Sequence, residues 1–241
     1  MTAPAADATP DERSLADFIA KWRARWPEWQ LAEVFVPAAQ RPLALAWASL
    51  QQELLEAAWG GADARPGEAK LLWWQEELMG WSQGRRRHPL GVSLQRMPAP
   101  WAELARAVPA LGRSRERPLD RADAFAAVAP AAHAATSIER ALFGSNAASD
   151  DSLIAACWLA ARATLHAEAA VPLAVLARTS AEQAPLVWRR ELAAGWPAST
   201  GAARVRRLWG ALARARLVCA SPTDVPPAWR TLFTAWRAAR N

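Results

Sequence analysis

The spacing of the apolar residues constrains the fold of this chain more than any other feature. Between residues 42 and 59 the apolar side chains recur at intervals of four, three, four and three, which places them on one face of an α-helix. These residues are Leu43, Trp47, Leu50, Leu54 and Ala57. β-Branched residues are sparse and never alternate over the length that a strand needs. The same pattern continues along the chain and predicts an all-α protein.

The length and composition predict one folded unit. The chain has 241 residues, of which 52% are hydrophobic, and 15 tryptophans accompany 5 phenylalanines and no tyrosine. Side chains of this size must be buried or must contact a partner, so we expect a core of indole and alanine. We predict a flexible tail over residues 1–13 and a single-domain helical bundle over residues 14–241, with Ser14 as the cap of the first helix.

Proline and alanine set the expected course of the later helices. Pro109 is expected to end one helix, and Pro130 is expected to kink another or split it in two, because proline has no amide hydrogen to donate. The alanine-rich segment 151–170 allows close approach of other helices and is typical of the centre of a bundle. The segment Val205 to Val218 sets apolar residues against arginines, which is the pattern of a basic amphipathic helix.

Arginine supplies almost all of the positive charge. The formal net charge is +6, and Lys21 and Lys70 are the only lysines. Such a surface favours anionic partners, although a solvated basic surface without a ligand has the same composition. Nucleic acid is not expected as a partner, because the arginines are scattered and no binding module accompanies them. Cys157 and Cys219 lack metal-ligand spacing, so neither a zinc site nor a disulfide framework is indicated.

The sequence predicts a cytoplasmic protein. Residues 2–10 are small and polar and lack the basic start and apolar core of a signal peptide. No segment offers the roughly 20 uninterrupted apolar residues that a bilayer span needs, so membrane contact would be peripheral, at the inner face. The helix from Val205 to Val218 is the candidate for contact with an anionic membrane surface. A core-facing helix with a solvated basic side is the alternative.

Two stretches within residues 35–94 resemble the squalene/phytoene synthase family. The first is similar to the family's Phe-x-Pro, arginine and alanine/aromatic-rich helix, and comprises Phe35-Val-Pro37, Arg41, Leu45-Ala-Trp-Ala-Ser-Leu50 and Glu53-Leu54. The second resembles the family's Leu-x-Trp-Trp-Arg-Glu-x-Leu, glycine and His-Pro series in order and spacing. It comprises Leu71-Leu-Trp73-Trp74-Gln-Glu-Glu77-Leu78, Gly84 and His88-Pro89-Leu90. The C-terminal half is compatible with the family in length and helical content.

The resemblance implies an isoprenoid (terpenoid) synthase fold with a central cavity that accommodates polyprenyl chains. In active members, two aspartate-rich motifs on facing helices bind magnesium ions, and the ions hold the diphosphate groups of the substrate. A departing diphosphate needs positive charge near its oxygens, and magnesium needs several carboxylate oxygens. Magnesium is therefore the expected cofactor if the chain is an enzyme, and no cofactor is expected otherwise.

The chain departs from the family at both metal motifs. The first motif, Asp-Asp-x-x-Asp, would lie within residues 51–59, where Glu53 and Glu56 are the acidic residues. In the second motif, Asn-x-x-Arg-Asp, Arg162 aligns with the arginine, but Leu159 and Ala163 replace the asparagine and the aspartate. A kept scaffold with lost metal sites resembles a divergent branch of the family that includes a mitochondrial assembly factor for respiratory complex I.

The resemblance also suggests residues that would contact a lipid or an anion, in addition to Arg162. Arg41 is the leading candidate for an anion contact, with a helix-bridging ion pair as the alternative. Trp73 and Trp74 would line a lipid cavity, although neighbouring helix positions diverge by about 100° and at least one indole should pack in the core. Glu77 would assist a metal or a diphosphate-binding arginine, and His88 would meet a phosphate. Surface ion pairing and local hydrogen bonding are the structural alternatives.

Three functions are compatible with these features. The leading hypothesis is a squalene/phytoene synthase-like protein without prenyltransferase catalysis, which binds a prenyl lipid or acts as an assembly or scaffold protein with a protein partner. The second is a divergent magnesium-dependent prenyltransferase of isoprenoid biosynthesis that uses Glu53 and Glu56 as its catalytic carboxylates. The third is a basic peripheral membrane adaptor that contacts anionic lipid.

Overall fold

Helices form all of the regular secondary structure in the residues that the computed structural model describes, which are 9–144, 151–219, 221 and 224–240. This confirms the all-α prediction. The described helices are α1 (Pro10–Arg25), α2 (Trp29–Ala32), α3 (Arg41–Trp59), α4 (Arg65–Ser82), α5 (Gly91–Leu94), α6 (Trp101–Arg113), α7 (Arg121–Phe143), α8 (Ser152–Leu165), α9 (Leu173–Leu176), α10 (Ala184–Ala194), α11 (Arg204–Leu217) and α12 (Ala228–Arg240). Two 3₁₀ turns, Glu33–Phe35 and Ala38–Gln40, lie between α2 and α3.

Helices α3 and α8 lie deepest in the bundle. Fifteen of the nineteen residues of α3 are buried, and in α8 every residue from Leu153 to Ala163 is buried. A helix that is enclosed on all sides must carry apolar or fully hydrogen-bonded side chains all round. α8 meets this requirement largely with alanine, which confirms the central position predicted for this segment, although the helix ends at Leu165 rather than near residue 170.

The other helices pack around this centre. α4 packs against α6, α6 against α7, and α7 against α8, while α8 also contacts α10 and α11. α1 contacts α3, and α12 packs against α11 and α2. Indole fills much of the interior, as the composition predicts. The most deeply buried tryptophans are Trp22, Trp47, Trp74, Trp81, Trp101, Trp158 and Trp188.

The first helix begins earlier than predicted. It starts at Pro10, and Thr9 rather than Ser14 is its cap. The Thr9 hydroxyl accepts a hydrogen bond from the Glu12 amide at 3.3 Å, and the Glu12 carboxylate accepts one from the Thr9 amide at 2.8 Å. This reciprocal arrangement is a capping box, and a proline at the first helical position fits it. Residues 1–8 of the expected tail lie outside the described residues.

Two prolines lie within helices that continue past them. α6 runs through Pro109 to Arg113, and α7 runs through Pro130 to Phe143. The expectation that Pro109 ends a helix is therefore wrong, and α7 is not split in two. A proline inside a helix removes one backbone hydrogen bond. On either side of Pro109 the side chains of Val108 and Leu111 are buried, and this packing offsets the loss.

Helix α11 lies inside the bundle, between α8 and α12. Nine of its fourteen residues are buried, and two of these are the arginines Arg206 and Arg216. Little of the segment Val205 to Val218 is therefore available to contact a membrane surface. It is core-facing, as the alternative stated, but some of its basic side chains point inward, because the buried carboxylates of Glu139 in α7 and of Glu28, just before α2, pair with them.

Candidate functional site

Glu53, the inner member of the acidic pair on α3, binds both lysines of the chain. Its side chain is buried, with 5% of its surface exposed. Lys21 Nζ of α1 lies 2.7 Å from Glu53 Oε1, and Lys70 Nζ of α4 lies 2.6 Å from Glu53 Oε2. Each carboxylate oxygen therefore accepts a hydrogen bond from its own ammonium group. This arrangement joins three helices at one side chain.

Glu56, one helical turn further along α3, is also paired with cations. Lys21 Nζ lies 3.0 Å from its Oε2, and Arg25 Nη2 lies 2.8 Å from its Oε1. The side-chain amide of Gln52 donates a further hydrogen bond at 3.0 Å. Burial alone raises the pKa of Glu53, but the hydrogen bonds and charges of the two lysines outweigh it and hold that pKa below its ordinary value. The Glu53 carboxylate is therefore ionised, and basic side chains of the same chain contact both carboxylates.

The residues around this pair do not fit a magnesium site. Magnesium takes six oxygen ligands in a nearly octahedral arrangement, several of them from carboxylates or waters. Both oxygens of Glu53 already contact ammonium groups, which carry the charge that a metal ion would supply. Across the described ranges, no three His, Cys, Asp or Glu side chains group closely enough to hold a metal ion.

A small cleft lies beside Glu56, between α3 and α8. Its volume is about 20 Å³, which is room for about one water molecule. Its walls are largely indole and aliphatic side chains: Trp26, Gln52, Leu55, Glu56, Trp59, Ala161, His166 and Trp209. Ligand pockets for drug-sized molecules have volumes of about 300–1,000 Å³. This cleft is therefore too small for the polyprenyl chain that the resemblance implies.

Arg162, the residue aligned with the second motif, is buried in α8 and donates to backbone carbonyl groups. Its acceptors are the carbonyl oxygens of Ser114, Arg115, Glu116 and Ala169, at distances of 2.7 to 3.2 Å. Its guanidinium also lies over the ring of Trp59, 5.5 Å from the centroid. Burial, with repulsion from Arg117 and Arg115, lowers the pKa of Arg162 to about 10. The Arg162 side chain thus satisfies carbonyl groups of the segment that directly follows α6.

Glu77 organises the loop that follows α4. Its buried carboxylate accepts hydrogen bonds from the backbone amides of Arg87 and His88, at 2.7 and 2.8 Å. It also accepts from Trp81 Nε1 at 2.8 Å and from Arg87 Nε at 3.1 Å. Burial raises the pKa of Glu77, but these donors outweigh it and hold the pKa below its ordinary value. Glu77 and His88, which both belong to the second stretch that resembles the family, are therefore joined by a hydrogen bond from the His88 amide to the Glu77 carboxylate.

His88 packs among aromatic rings. Its centroid lies 4.5 Å from that of Phe18, 4.6 Å from Trp74 and 5.8 Å from Trp73. Its Nδ1 atom accepts a hydrogen bond from the Leu90 amide at 3.1 Å. Burial lowers the pKa of His88 to about 4, so the ring is neutral at physiological pH, as its acceptor role requires. Trp74 is fully buried and Trp73 is half-buried, which agrees with the expectation that at least one indole packs in the core.

Arg41, the leading candidate for an anion contact, lies at the start of α3. Its Nε donates to the carbonyl oxygen of Val36 at 3.0 Å, and its Nη2 donates to that of Val34 at 3.2 Å. Val34 lies within the 3₁₀ turn Glu33–Phe35, and Val36 directly follows that turn. In the structure, Glu53 and Glu56 therefore lie together and contact lysines. Arg41 and Arg162 lie elsewhere, and both donate hydrogen bonds to backbone carbonyl groups.

Sequence reasoning missed the buried polar network between α3, α7 and α11. Arg206 is 1% exposed and Glu139 is 4% exposed. Arg206 Nε lies 3.1 Å from both Glu139 carboxylate oxygens, and its Nη2 lies 2.7 Å from Gln51 Oε1. Trp47 Nε1 donates to Glu139 at 2.7 Å, and Trp158 Nε1 donates to Gln51 at 3.0 Å. Glu139 is the one glutamate of α7, and its neighbours in sequence carry no information about its partner.

Arginine side chains satisfy the carbonyl ends of several helices. At the C-terminal end of α3, Arg115 donates to the carbonyl groups of Ala58 and Gly60. Arg121 donates to those of Glu191 and Gly195 at the end of α10, and Arg189 donates to those of Arg216 and Cys219 at the end of α11. The last carbonyl groups of a helix have no partner inside it and carry partial negative charge. These arginine side chains therefore bind carbonyl groups of the same chain, at contacts between its helices.

Comparisons with protein-family models, with curated proteins and with solved structures found no match for this chain. Within the described ranges, the helices are too short or too polar for any of them to cross a bilayer.

Proposed function

We propose that this chain is a squalene/phytoene synthase-like scaffold or assembly protein that acts without prenyltransferase catalysis. The observation that carries the proposal is the pairing of Glu53 with both lysines of the chain, Lys21 and Lys70. The proposal also depends on the resemblance of residues 35–94 to the family.

The pairing argues against the chemistry of active members. Ionisation of an allylic diphosphate draws its main electrostatic support from metal ions bound by carboxylates. At Glu53 a magnesium ion would have to displace two ammonium groups, each at hydrogen-bonding distance. Their displacement would break the ion pair of Lys70 with Glu53 and would leave Lys21 with only its contact to Glu56. The small cleft beside Glu56 favours a role for the outer surface rather than for an enclosed lipid.

Pyrophosphate release provides the test. Purified full-length protein is incubated with magnesium and with farnesyl or geranylgeranyl diphosphate, and the released pyrophosphate is measured against a blank without protein. We expect no release above the blank, and calorimetry with magnesium alone should detect no binding at Glu53.

Two variants make the result specific. Glu53→Gln removes the buried carboxylate, while Glu76→Gln removes an acid of α4 that is 72% exposed and serves as the matched control. Magnesium-dependent release that Glu53→Gln abolishes and Glu76→Gln preserves would overturn the proposal and establish the prenyltransferase alternative. Release that survives both substitutions would also overturn it, because the activity would then lie elsewhere in the chain.

A further inference from the structure

Helix α12 presents an aromatic face to solvent. Trp229 is 66% exposed and Phe233 is 54% exposed, and Leu232 and Trp236 are exposed beside them. All fifteen tryptophans lie in the described part of the chain, and of these only Trp229 and Trp236 are exposed. The opposite side of α12 packs on the bundle through Thr231, Ala235 and Ala238. We call the outward side the α12 face, defined by Trp229, Leu232, Phe233 and Trp236.

The α12 face is flanked by positive charge. Arg230, Arg237 and Arg240 lie on this helix, and residues 225–241 contain no acidic residue. The Arg230 guanidinium lies 5.0 Å from the ring centroid of Trp229, and that of Arg240 lies 4.8 Å from the ring centroid of Trp236. A cleft of about 540 Å³ beside the helix adds Arg207 and Arg214 of α11 to its lining and contains no acidic side chain, whereas a second cleft beside the helix contains Asp224 together with Arg230. Arg230 and Arg240 therefore lie directly beside two of the four residues of the α12 face.

We propose that the α12 face binds the surface of an anionic lipid bilayer, with the helix parallel to the membrane plane. An amphipathic helix with tryptophan and phenylalanine on one side and arginine beside them is the chemistry of interfacial binding. Indole is favoured at the level of the lipid headgroups, and each basic residue near an anionic surface strengthens binding. The four residues of the α12 face are exposed and are spaced along one side of the helix, so a flat surface can contact them together.

A second copy of the chain fits this face less well. A two-fold contact between two α12 faces would bring the same three arginines of each copy together, with no acid of α12 to pair with them. An anionic bilayer supplies both the apolar layer and the opposite charge. This proposal rests on the proposed scaffold function and names a partner for it. Vesicle binding tests the membrane proposal and pyrophosphate release tests the proposed function, so one proposal can fail while the other stands.

Vesicle flotation with the full chain tests the proposal. Phosphatidylcholine vesicles are compared with vesicles of phosphatidylcholine and phosphatidylserine at equal total lipid. We expect partitioning at least about tenfold stronger on the anionic vesicles, since each arginine contributes about fivefold near such a surface. Brominated lipid should quench tryptophan fluorescence, and Trp229→Phe with Trp236→Phe should remove most of that quenching.

Matched variants separate the face from the overall charge. The triple substitution Arg230→Gln, Arg237→Gln and Arg240→Gln should abolish the preference for anionic vesicles. A control triple with the same net charge, Arg13→Gln, Arg106→Gln and Arg190→Gln, removes exposed arginines elsewhere and should retain it. Trp229→Ser with Trp236→Ser should lower binding, whereas Leu72→Ser with Leu119→Ser, at exposed sites on other parts of the surface, should not. Thermal unfolding midpoints verify that every variant is folded.

Any one of four outcomes would overturn the proposal. The first is equal partitioning of the wild-type chain on neutral and anionic vesicles. The second is full anionic binding by the α12 triple variant. The third is self-association of the chain, detected by sedimentation, that Trp229→Ser with Trp236→Ser abolishes while vesicle binding is absent, because the face would then be an interface between copies. Binding to an acidic protein without binding to anionic vesicles would equally exclude the membrane surface.

Discussion

Helices α11 and α12 are neighbours in sequence and in space, and each combines arginine with apolar residues, yet the protein uses them in opposite ways. Nine of the fourteen residues of α11 are buried, against three of the thirteen residues of α12. Arg206 and Arg216 of α11 point into the protein, while the aromatic residues of α12 point out of it. A basic amphipathic pattern therefore does not by itself indicate which side of a helix faces the interior.

The difference follows from partners that lie far away in sequence. Arg206 pairs with Glu139 of α7, and Arg216 pairs with Glu28, which precedes α2. A guanidinium can be buried at tolerable cost when a carboxylate and further acceptors surround it. α12 has no acidic residue of its own, and its arginines lie at the surface. The acids, rather than the arginines, decide which of the two helices is internal.

The largest expected effect comes from breaking the deeper ion pair. Arg206→Met leaves the buried Glu139 carboxylate without its cation, and we expect it to lower the free energy of unfolding by about 3–5 kcal/mol. Urea unfolding monitored by circular dichroism provides the measurement. Arg237→Met, the same change on α12, is the matched control and should leave stability nearly unchanged. A loss below about 1 kcal/mol for Arg206→Met would remove the contrast between the helices.

A second, smaller effect is expected at the other pair of α11. Arg216→Met removes the partner of Glu28 and a hydrogen bond to the carbonyl of Arg25, at 2.7 Å. The Arg216 side chain is 10% exposed, compared with 2% for Arg206, so water can compensate in part. We expect a loss of about 2–3 kcal/mol in the same assay. A loss larger than that of Arg206→Met would show that depth of burial does not rank the two pairs.

A third effect connects the two helices. Arg207 of α11 donates to the carbonyl of Ala238 near the end of α12 at 3.0 Å, and to that of Ala202 at 2.7 Å. Arg207→Gln should cost about 1 kcal/mol and should accelerate amide hydrogen exchange in the last turn of α12. Arg204→Gln removes an exposed arginine from the same helix and should alter neither quantity. Unchanged hydrogen exchange in Arg207→Gln would show that this contact does not stabilise the end of α12.

The smallest effect is expected on the α12 face itself. Trp236→Ser removes an exposed indole, and the stability of the free protein should change by less than about 0.5 kcal/mol. The same denaturant titration measures it. A loss of several kcal/mol would mean that this face packs against protein, and it would then resemble α11 rather than differ from it.

The parts of the fold that depend on local pattern were predictable from the sequence. Helical spacing identified α3, and alanine content identified α8 as central, because these signals need only neighbours within a few turns. The capping box of Thr9 and Glu12 was equally local but was not predicted, and Ser14 was wrongly predicted as the cap. The prediction that Pro109 ends a helix failed because burial of the side chains on both sides of it outweighs one lost hydrogen bond.

The site was predictable only in part. The sequence placed Glu53 and Glu56 one turn apart on a helix, and this spacing is present in the structure. It gave no sign that Lys21 and Lys70, which are 32 and 17 positions away from Glu53, bind that carboxylate. The inward direction of α11 likewise depends on Glu139, 67 positions away. Such pairings arise from the packing of whole helices, for which one sequence offers no local signal.

The convergence of both lysines on Glu53 gives the molecule a built-in chemical reporter. A carbodiimide converts a carboxylate and a contacting amine into an amide without adding any spacer, so its products at Glu53 would be an α1–α3 link through Lys21 or an α3–α4 link through Lys70. Lysine offers no other side-chain amine in this sequence. The yield of these two peptides in a digest therefore measures, at single-residue precision, whether the three helices are assembled.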